Sequence, residues 1–234
     1  MTQVVTTISA FSFIDYETIM GRKALPKLNP DVDFSQHFFE SDVLETRPDL
    51  QSYFPMQQPL EVEVGTGKGL FMKNASGQCP EHNFLGIEIA FKYARFAGYK
   101  LAKEGRTNAV MFHGDGQKIF RETIPSDSLE AVHVYFPDPW WKARHHRRRL
   151  MNEEFCQQIQ RVLRPGGKLH FWTDVLDYFE MAVETLHQAT TLQGPIDVEE
   201  TPAEHDLDYR THFERRMRKN EMDVFRSQFL KPEA

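Results

Sequence analysis

The ten residues LEVEVGTGKG, Leu60 to Gly69, decide how this chain folds. Leu60–Val64 has the length and the β-branched content of a buried strand. It runs into glycines at alternate positions, Gly65, Gly67 and Gly69, and then into a helical stretch from Leu70 to about Ser76. A strand, a glycine loop and a helix in that order open a nucleotide-type βαβ unit. Glycine there lets the backbone come close to a ligand. The spacing is GxGxG rather than GxGxxG, and no Ser or Thr follows Lys68, so the loop is not a phosphate P-loop. Glu63, one residue before the strand's last position, sits where a dinucleotide would place its pyrophosphate. A carboxylate there repels phosphate and welcomes a cation, so a sulfonium cofactor with a free amino group fits better than NAD. The plain alternative is an exposed strand-end acid.

Outward from this unit, more acids fall at strand ends. Phe84–Ile89 reads as the second strand, with Glu88 near its end, where an acid commonly accepts from both ribose hydroxyls. Phe91–Glu104 reads as a helix whose Tyr93, Ala94, Ala97 and Leu101 serve packing. Ala109–His113 is the third strand. Asp115 follows in Gly114-Asp115-Gly116, either accepting from an adenine amino group or simply forming the turn.

The richest stretch is VHVYFPDPWWKARHHRRRL, Val132 to Leu150. Leu129, Ala131, Val132, Val134 and Phe136 make an apolar strand that Pro137 ends, because proline cannot donate to the ladder. Pro139 restricts Asp138 to extended backbone. Asp138 therefore stands on a stiff turn past a strand's carboxyl end, where ligands bind in open α/β sheets. Lys142, Arg144, Arg147, Arg148 and Arg149 follow, with His145 and His146 among them. Basic runs are often solvated faces, but this one adjoins the Asp138 turn, which suits a polyanion held by its phosphates.

The remainder is read more briefly. Asn152–Leu163 is expected as a helix ended by Arg164-Pro165-Gly166-Gly167, and Lys168–Thr173 as a strand with Asp174 at its end, level with Asp138. Val175–Ala189 is expected as a helix, Gln193–Asp208 as a loop, and Met222–Leu230 as an edge strand. Residues 1–57 read as a largely irregular arm broken by Pro26, Pro30, Pro48 and Pro55, packing aromatics such as Phe11, Phe13, Phe38 and Phe39 on the domain of residues 58–234. Arg22 and Lys23 are within reach of RNA or simply solvated.

Composition sets bounds. The chain has 234 residues, 40% hydrophobic and 26% charged, with a formal net charge of −6. Setting aside the five positives of the basic run leaves 23 Lys and Arg against 34 Asp and Glu, a balance of −11. A general nucleic-acid coat is excluded; contact with RNA or DNA has to be a local patch on an acidic body. Two cysteines, Cys79 and Cys156, fit neither a metal motif nor a disulfide framework and suit a reduced, cytoplasmic setting. The first twenty residues lack the pattern of a signal peptide, and no apolar run is long enough to span a bilayer.

Together, Glu63–Gly69, Gly86-Ile87-Glu88, Phe136–Trp140 with the Lys142–Arg149 run, and Thr211-His212-Phe213-Glu214 resemble the bacterial tRNA (guanine-N7)-methyltransferase family. The resemblance covers about Leu60 to Phe229, and FPDPW with RHHRRR is its most specific part. It implies a Rossmann-like class I methyltransferase: α/β, a seven-stranded mostly parallel sheet with helices on both faces and an antiparallel edge strand. It implies S-adenosyl-L-methionine as cofactor and methyl transfer to N7 of a variable-loop guanine in tRNA. It also implies cofactor contacts at Glu63, Gly65, Gly67, Glu88, Asp115 and Asp138, with Asp138 catalytic. Substrate contacts are implied at Lys142, Arg144, Arg147, Arg148, Arg149, Asp174, Thr211, Phe213 and Glu214. No metal is expected, and monomer or homodimer stays open. Trp141 and Asn220 depart from the family pattern, Asn220 standing where a glycine is usual and tolerating left-handed backbone. Trp140 either stacks on the base or closes the core. A nucleotide-dependent oxidoreductase and a non-catalytic RNA-binding module are the competing readings. The first conflicts with Glu63, and the second leaves the strand-end acids unexplained.

Overall fold

The computed structural model describes residues 24–199 and 209–233. The expectations for Phe11, Phe13, Arg22 and Lys23, and the last part of the expected 193–208 loop, lie outside the described residues. In chain order the elements are β1 (Phe38–Glu40), β2 (Leu60–Val64), α1 (Leu70–Gln78), β3 (Asn83–Glu88), α2 (Phe91–Lys103), β4 (Ala109–His113) and α3 (Gly116–Glu122). Then follow β5 (Leu129–Tyr135), α4 (Glu153–Val162), β6 (Leu163–Thr173), α5 (Leu176–Ala189), β7 (Gln193–Asp197), α6 (His212–Lys219) and β8 (Phe225–Leu230).

One sheet holds all eight strands, in the order β1-β4-β3-β2-β5-β6-β8-β7. β1 through β6 are mutually parallel, and β8 runs antiparallel to both β6 and β7. The mostly parallel α/β sheet is as expected, with eight strands instead of seven. β1 comes from the arm read as irregular; three residues are too short to show an alternating pattern. β7 comes from the expected loop, where Gly194 and Pro195 hide a strand. Pro195 is tolerated because β7 lies at the sheet edge, where a missing donor breaks no ladder. β8, expected at the edge, is therefore one strand inside it. The left-handed residue after α6 is Glu221, at φ 53°, while Asn220 keeps negative φ.

Strand alternation sorts residues onto two faces. Val62 and Val64, Leu85 and Ile87, Val110 and Phe112, Val132 and Val134, and Leu169 and Phe171 join one core with Phe155 and Ile159 of α4 and Tyr178, Ala182 and Leu186 of α5. On the other face, Phe84, Ala109, Met111, Tyr135 and Trp172 pack with Phe71 and Met72 of α1 and Ala97 and Leu101 of α2. Glu61, Glu63 and His133 share the parity of that second face, so it is apolar under the helices and polar at its middle.

Gly69 joins loop to helix at φ 64°, and a Cβ there would lie 2.6 Å from the Ala97 Cβ. Neither partner is a flexible tip, so Gly69→Ala must separate α1 from α2. We expect it to cost roughly 2–4 kcal/mol of stability through overpacking and left-handed backbone together. A denaturation midpoint equal to wild type would contradict this.

Candidate functional site

The chain runs from β2 outward to β3 and β4 on one side, then returns to β5 on the other. The order thus reverses between β2 and β5, which pair in parallel with Val64 level with Val134. The crevice beyond the carboxyl ends at such a switch point is where open α/β sheets bind ligands. Gly65 and Gly67 begin immediately past β2, and Asp138 lies three residues past β5. The sequence reading and the topology thus bring the two motifs to one edge.

Gly65 and Gly67 hold left-handed backbone at φ 83° and 53°, and no atom lies within 4 Å of where a Cβ would stand on either. The loop is tied down by Glu88, whose Oε2 accepts from Gly67 N at 2.7 Å and whose Oε1 accepts from Ala90 N at 2.8 Å. Glu88, at the end of β3, therefore organises the glycine loop. Beside it, Ile89 is 70% exposed, an apolar surface suited to a flat ring. Sequence reasoning did not single out Ile89; an apolar residue directly after a strand-end acid was the available signal.

Glu63 is 2% exposed, and its Oε2 has no hydrogen-bond partner among the described residues. Burial, reinforced by the Glu88 charge, pushes its carboxyl up to about 8 despite Lys100. Burial and then Lys73 likewise push the Lys100 ammonium down to about 8; its Nζ donates to the Lys68 carbonyl at 3.0 Å. A desolvated carboxyl with an unpartnered oxygen beside an open glycine loop has the chemistry to suit a compact cation.

Asp115 begins α3 as its N-cap, with Oδ1 accepting from Gln117 N at 2.9 Å and from Lys118 N. Its turn-forming role is thus real, and the carboxylate is exposed at the same edge of the sheet. Asp138 is exposed on a turn bracketed by two aromatics in left-handed backbone, Phe136 at φ 50° and Trp140 at φ 48°. Each costs of order 1–3 kcal/mol and persists only where surrounding contacts hold it. The holding contacts are visible. Phe136 N donates to the Trp172 carbonyl at 2.8 Å, and the Phe136 ring stacks on Phe213 at 4.7 Å. Arg148 lies over the Trp140 ring at 5.0 Å, and His145 meets its edge. Asp174, one residue past β6, is level with the turn, since Tyr135 pairs with Trp172.

The basic run forms a short 3-10 helix, Ala143–Arg148. Lys142, Arg144, Arg147 and Arg148 are exposed, whereas Arg149 is buried, 4% exposed. Thr211 caps α6, accepting from Glu214 N at 2.9 Å. Glu214 is 3% exposed, and its Oε2 accepts from Arg210 N, one residue before the cap, at 2.7 Å. Its Oε1 faces Arg218 at 3.4 Å and Arg226 at 3.6 Å. The Glu214 carboxylate, implied as a substrate contact, is thus engaged inside the protein.

Sequence reasoning also missed a buried polar chain. Arg210 Nη1 donates to Tyr135 Oη at 3.3 Å; Tyr135 Oη meets His133 Nδ1 at 2.9 Å; His133 Nε2 meets Glu61 Oε2 at 2.6 Å. His82 Nδ1 takes Glu61 Oε1 at 2.5 Å. Burial lowers the His133 pKa, so a neutral ring donates through Nε2 and accepts through Nδ1. Burial works against ionisation of Glu61, but bonds from His133 and His82 outweigh it and hold its pKa below the usual value.

A separate groove of about 410 Å³ between α5 and β7 is lined by Phe179, Val183, His187 and Pro195, not by any of these acids. Among the described residues there is no His, Cys, Asp and Glu cluster that could hold a metal ion, and no helix long and apolar enough to cross a membrane.

Residues 57–227 match a family model described as "Putative methyltransferase". A tRNA (guanine-N(7)-)-methyltransferase of Rhodopirellula baltica is 48% identical over 213 residues, covering 88% of this chain and 79% of that protein. One of Xanthomonas oryzae pv. oryzae is 34% identical over 184 residues, covering 77% and 72%. Among solved structures, the 16S rRNA methyltransferase KamB superposes with a TM-score of 0.58 at 16% identity, over 83% of this chain and 95% of that one, a likeness of fold.

Proposed function

This chain belongs to the tRNA (guanine-N7)-methyltransferase family, and on that premise we propose that it transfers a methyl group from S-adenosyl-L-methionine to N7 of a variable-loop guanine in tRNA. The observation that carries this reading is the convergence, on adjacent parallel strands, of the Glu63–Gly67 cradle and the Asp138 turn. The residues fit the cofactor. The orphaned, buried Glu63 oxygen suits an ammonium or sulfonium group, and the open glycine loop leaves room for it. Glu88 is at hand for the ribose hydroxyls, and Asp115 for the adenine amino group. When bound, S-adenosyl-L-methionine supplies an electrophilic methyl.

The chain's own residues do the rest. Guanine N7 carries a lone pair and no proton, so Asp138 has no proton to remove. Methylation leaves the ring positively charged, and the Asp138 carboxylate, fixed on its stiff turn, stabilises that charge and orients the ring. The guanine Watson–Crick edge offers N1–H and N2–H donors. Asp174, level with the Asp138 turn at the end of β6, is placed to accept them. Adenine would leave that acceptor unpaired. Thr211 and Phe213, held against Phe136, border the base on the other side. Lys142, Arg144, Arg147 and Arg148 lie outward to meet phosphates. A cytoplasmic location follows from tRNA as substrate.

Incubation with unmodified tRNA and labelled S-adenosyl-L-methionine tests the reading. N7-methylguanosine in the digested tRNA is expected, and its loss when the variable-loop guanine is replaced by adenine. Methylation surviving that replacement would move the target to another RNA guanine. Arg147→Ala with Arg148→Ala is expected to weaken tRNA binding about tenfold or more and to flatten its dependence on salt. An unchanged affinity and salt slope would make the run a solvated face.

A further inference from the structure

We propose that Arg149 is a positioning residue for Asp138 and not a phosphate contact, an inference that rests on the methyl-transfer reading above. The four charged residues before it, Lys142, Arg144, Arg147 and Arg148, face solvent. Arg149 turns inward. Its Nε donates to the Pro139 carbonyl at 2.8 Å, and Pro139 directly follows Asp138. Its Nη2 donates to Asp177 Oδ2 at 2.7 Å, on the first turn of α5, and lies 3.2 Å from His146 Nε2. The guanidinium plane covers the Tyr178 ring at 4.8 Å. Tyr178 is itself fixed: its hydroxyl accepts from Met151 N at 3.1 Å.

The arrangement ties three elements to one planar group: the Asp138 turn, the basic loop and α5. Such a tie is needed because the turn is strained at both ends, with Phe136 and Trp140 in left-handed backbone. Phe136 is held by the sheet and by Phe213. The Pro139 carbonyl is held by Arg149. A lysine keeps the charge, but it has no fork to reach a carbonyl and a carboxylate together over an aromatic ring. A phosphate contact tolerates that exchange far better, since Lys binds phosphate as a point charge.

The experiment is steady-state methylation of tRNA by the full chain carrying Arg149→Lys, with melting temperature, cofactor affinity and the salt slope of tRNA binding measured alongside. We expect kcat to fall about thirtyfold, with cofactor and tRNA affinities within about threefold of wild type and the salt slope unchanged. Combined with Asp138→Ala, Arg149→Lys is expected to cost little further turnover, because its effect passes through Asp138. Asp177→Asn, which leaves the turn and the loop intact, lowers kcat in the same direction by a smaller factor. It serves as the measurement if Arg149→Lys does not fold. Wild-type kcat in either variant, or a loss of tRNA affinity with a flatter salt slope, overturns the inference. So does a full multiplicative loss in the double variant. An inactive wild-type chain would instead count against the methyl-transfer reading itself.

Discussion

Replacing Asp138 by alanine is expected to lower turnover by about 10²–10³-fold, the usual cost of removing one preorganised electrostatic partner. Cofactor affinity is expected to stay within about tenfold, or about 1.4 kcal/mol. The two expectations separate because the cofactor cradle is built from β2 and β3, while Asp138 comes from the turn after β5. The carboxylate is exposed, and on the proposed mechanism it acts on charge that appears only as guanine N7 is methylated. Asp138→Asn keeps the shape and one acceptor oxygen but not the charge, so it is expected to resemble alanine. Rapid-quench turnover with calorimetric cofactor titration checks both; full turnover in either variant would remove Asp138 from the mechanism.

The second large effect is a pH dependence of cofactor binding. Glu63 is pushed up to about 8 by burial and by Glu88, so below that pH the free protein holds it protonated. A bound ammonium or sulfonium group favours the carboxylate, so binding releases a proton. Affinity is therefore expected to rise about tenfold per pH unit between pH 6 and nearly 8. It then levels and turns over as the cofactor's own α-amino group, with a pKa of about 7.7–8.0, loses its charge. Lys100 titrates in the same region. Glu63→Gln leaves Lys100 in place, so a nearly flat profile in that variant assigns the effect to Glu63. The same group affects stability in the opposite sense. Its folded pKa lies above the unfolded value of 4.5, so its contribution is complete below that value and is lost as pH rises through about 8. Glu63→Gln is thus expected to gain melting temperature over wild type progressively as pH rises from about 4.5 to about 8, and to hold that gain above it. Titration calorimetry across pH with both proteins checks the first part, and a profile identical in the two would contradict it.

The sequence made the edge of the site legible because position along a strand is a one-dimensional property. Glu63, Glu88, Asp138 and Asp174 each follow or close an apolar run, and parallel strands carry such ends to a common side. What stayed hidden depends on pairing between distant residues. Arg149 has the same composition as Arg147 and Arg148, and only packing against Tyr178 and Asp177 distinguishes it. Glu214 reads as an available acid until the α6 cap and the guanidinium groups of Arg218 and Arg226 are seen around it. The Glu61–His133–Tyr135–Arg210 chain spans β2, β5 and the segment before α6, and no local pattern announces it. Parity was the one available clue: Glu61 and Glu63, like His133 and Tyr135, alternate with buried valines and so share a face. β7 was lost for a simpler reason, since Gly194-Pro195 is the ordinary signature of a turn and is tolerated at a sheet edge.

A crystal structure of the protein with S-adenosylhomocysteine tests the central claim most directly. The product's sulfur is expected in the crevice between the Gly65–Gly67 loop and the Asp138 turn, with its amino group on Glu63. A product bound anywhere else, or one that leaves Glu63 and Asp138 on separate surfaces, would contradict the account.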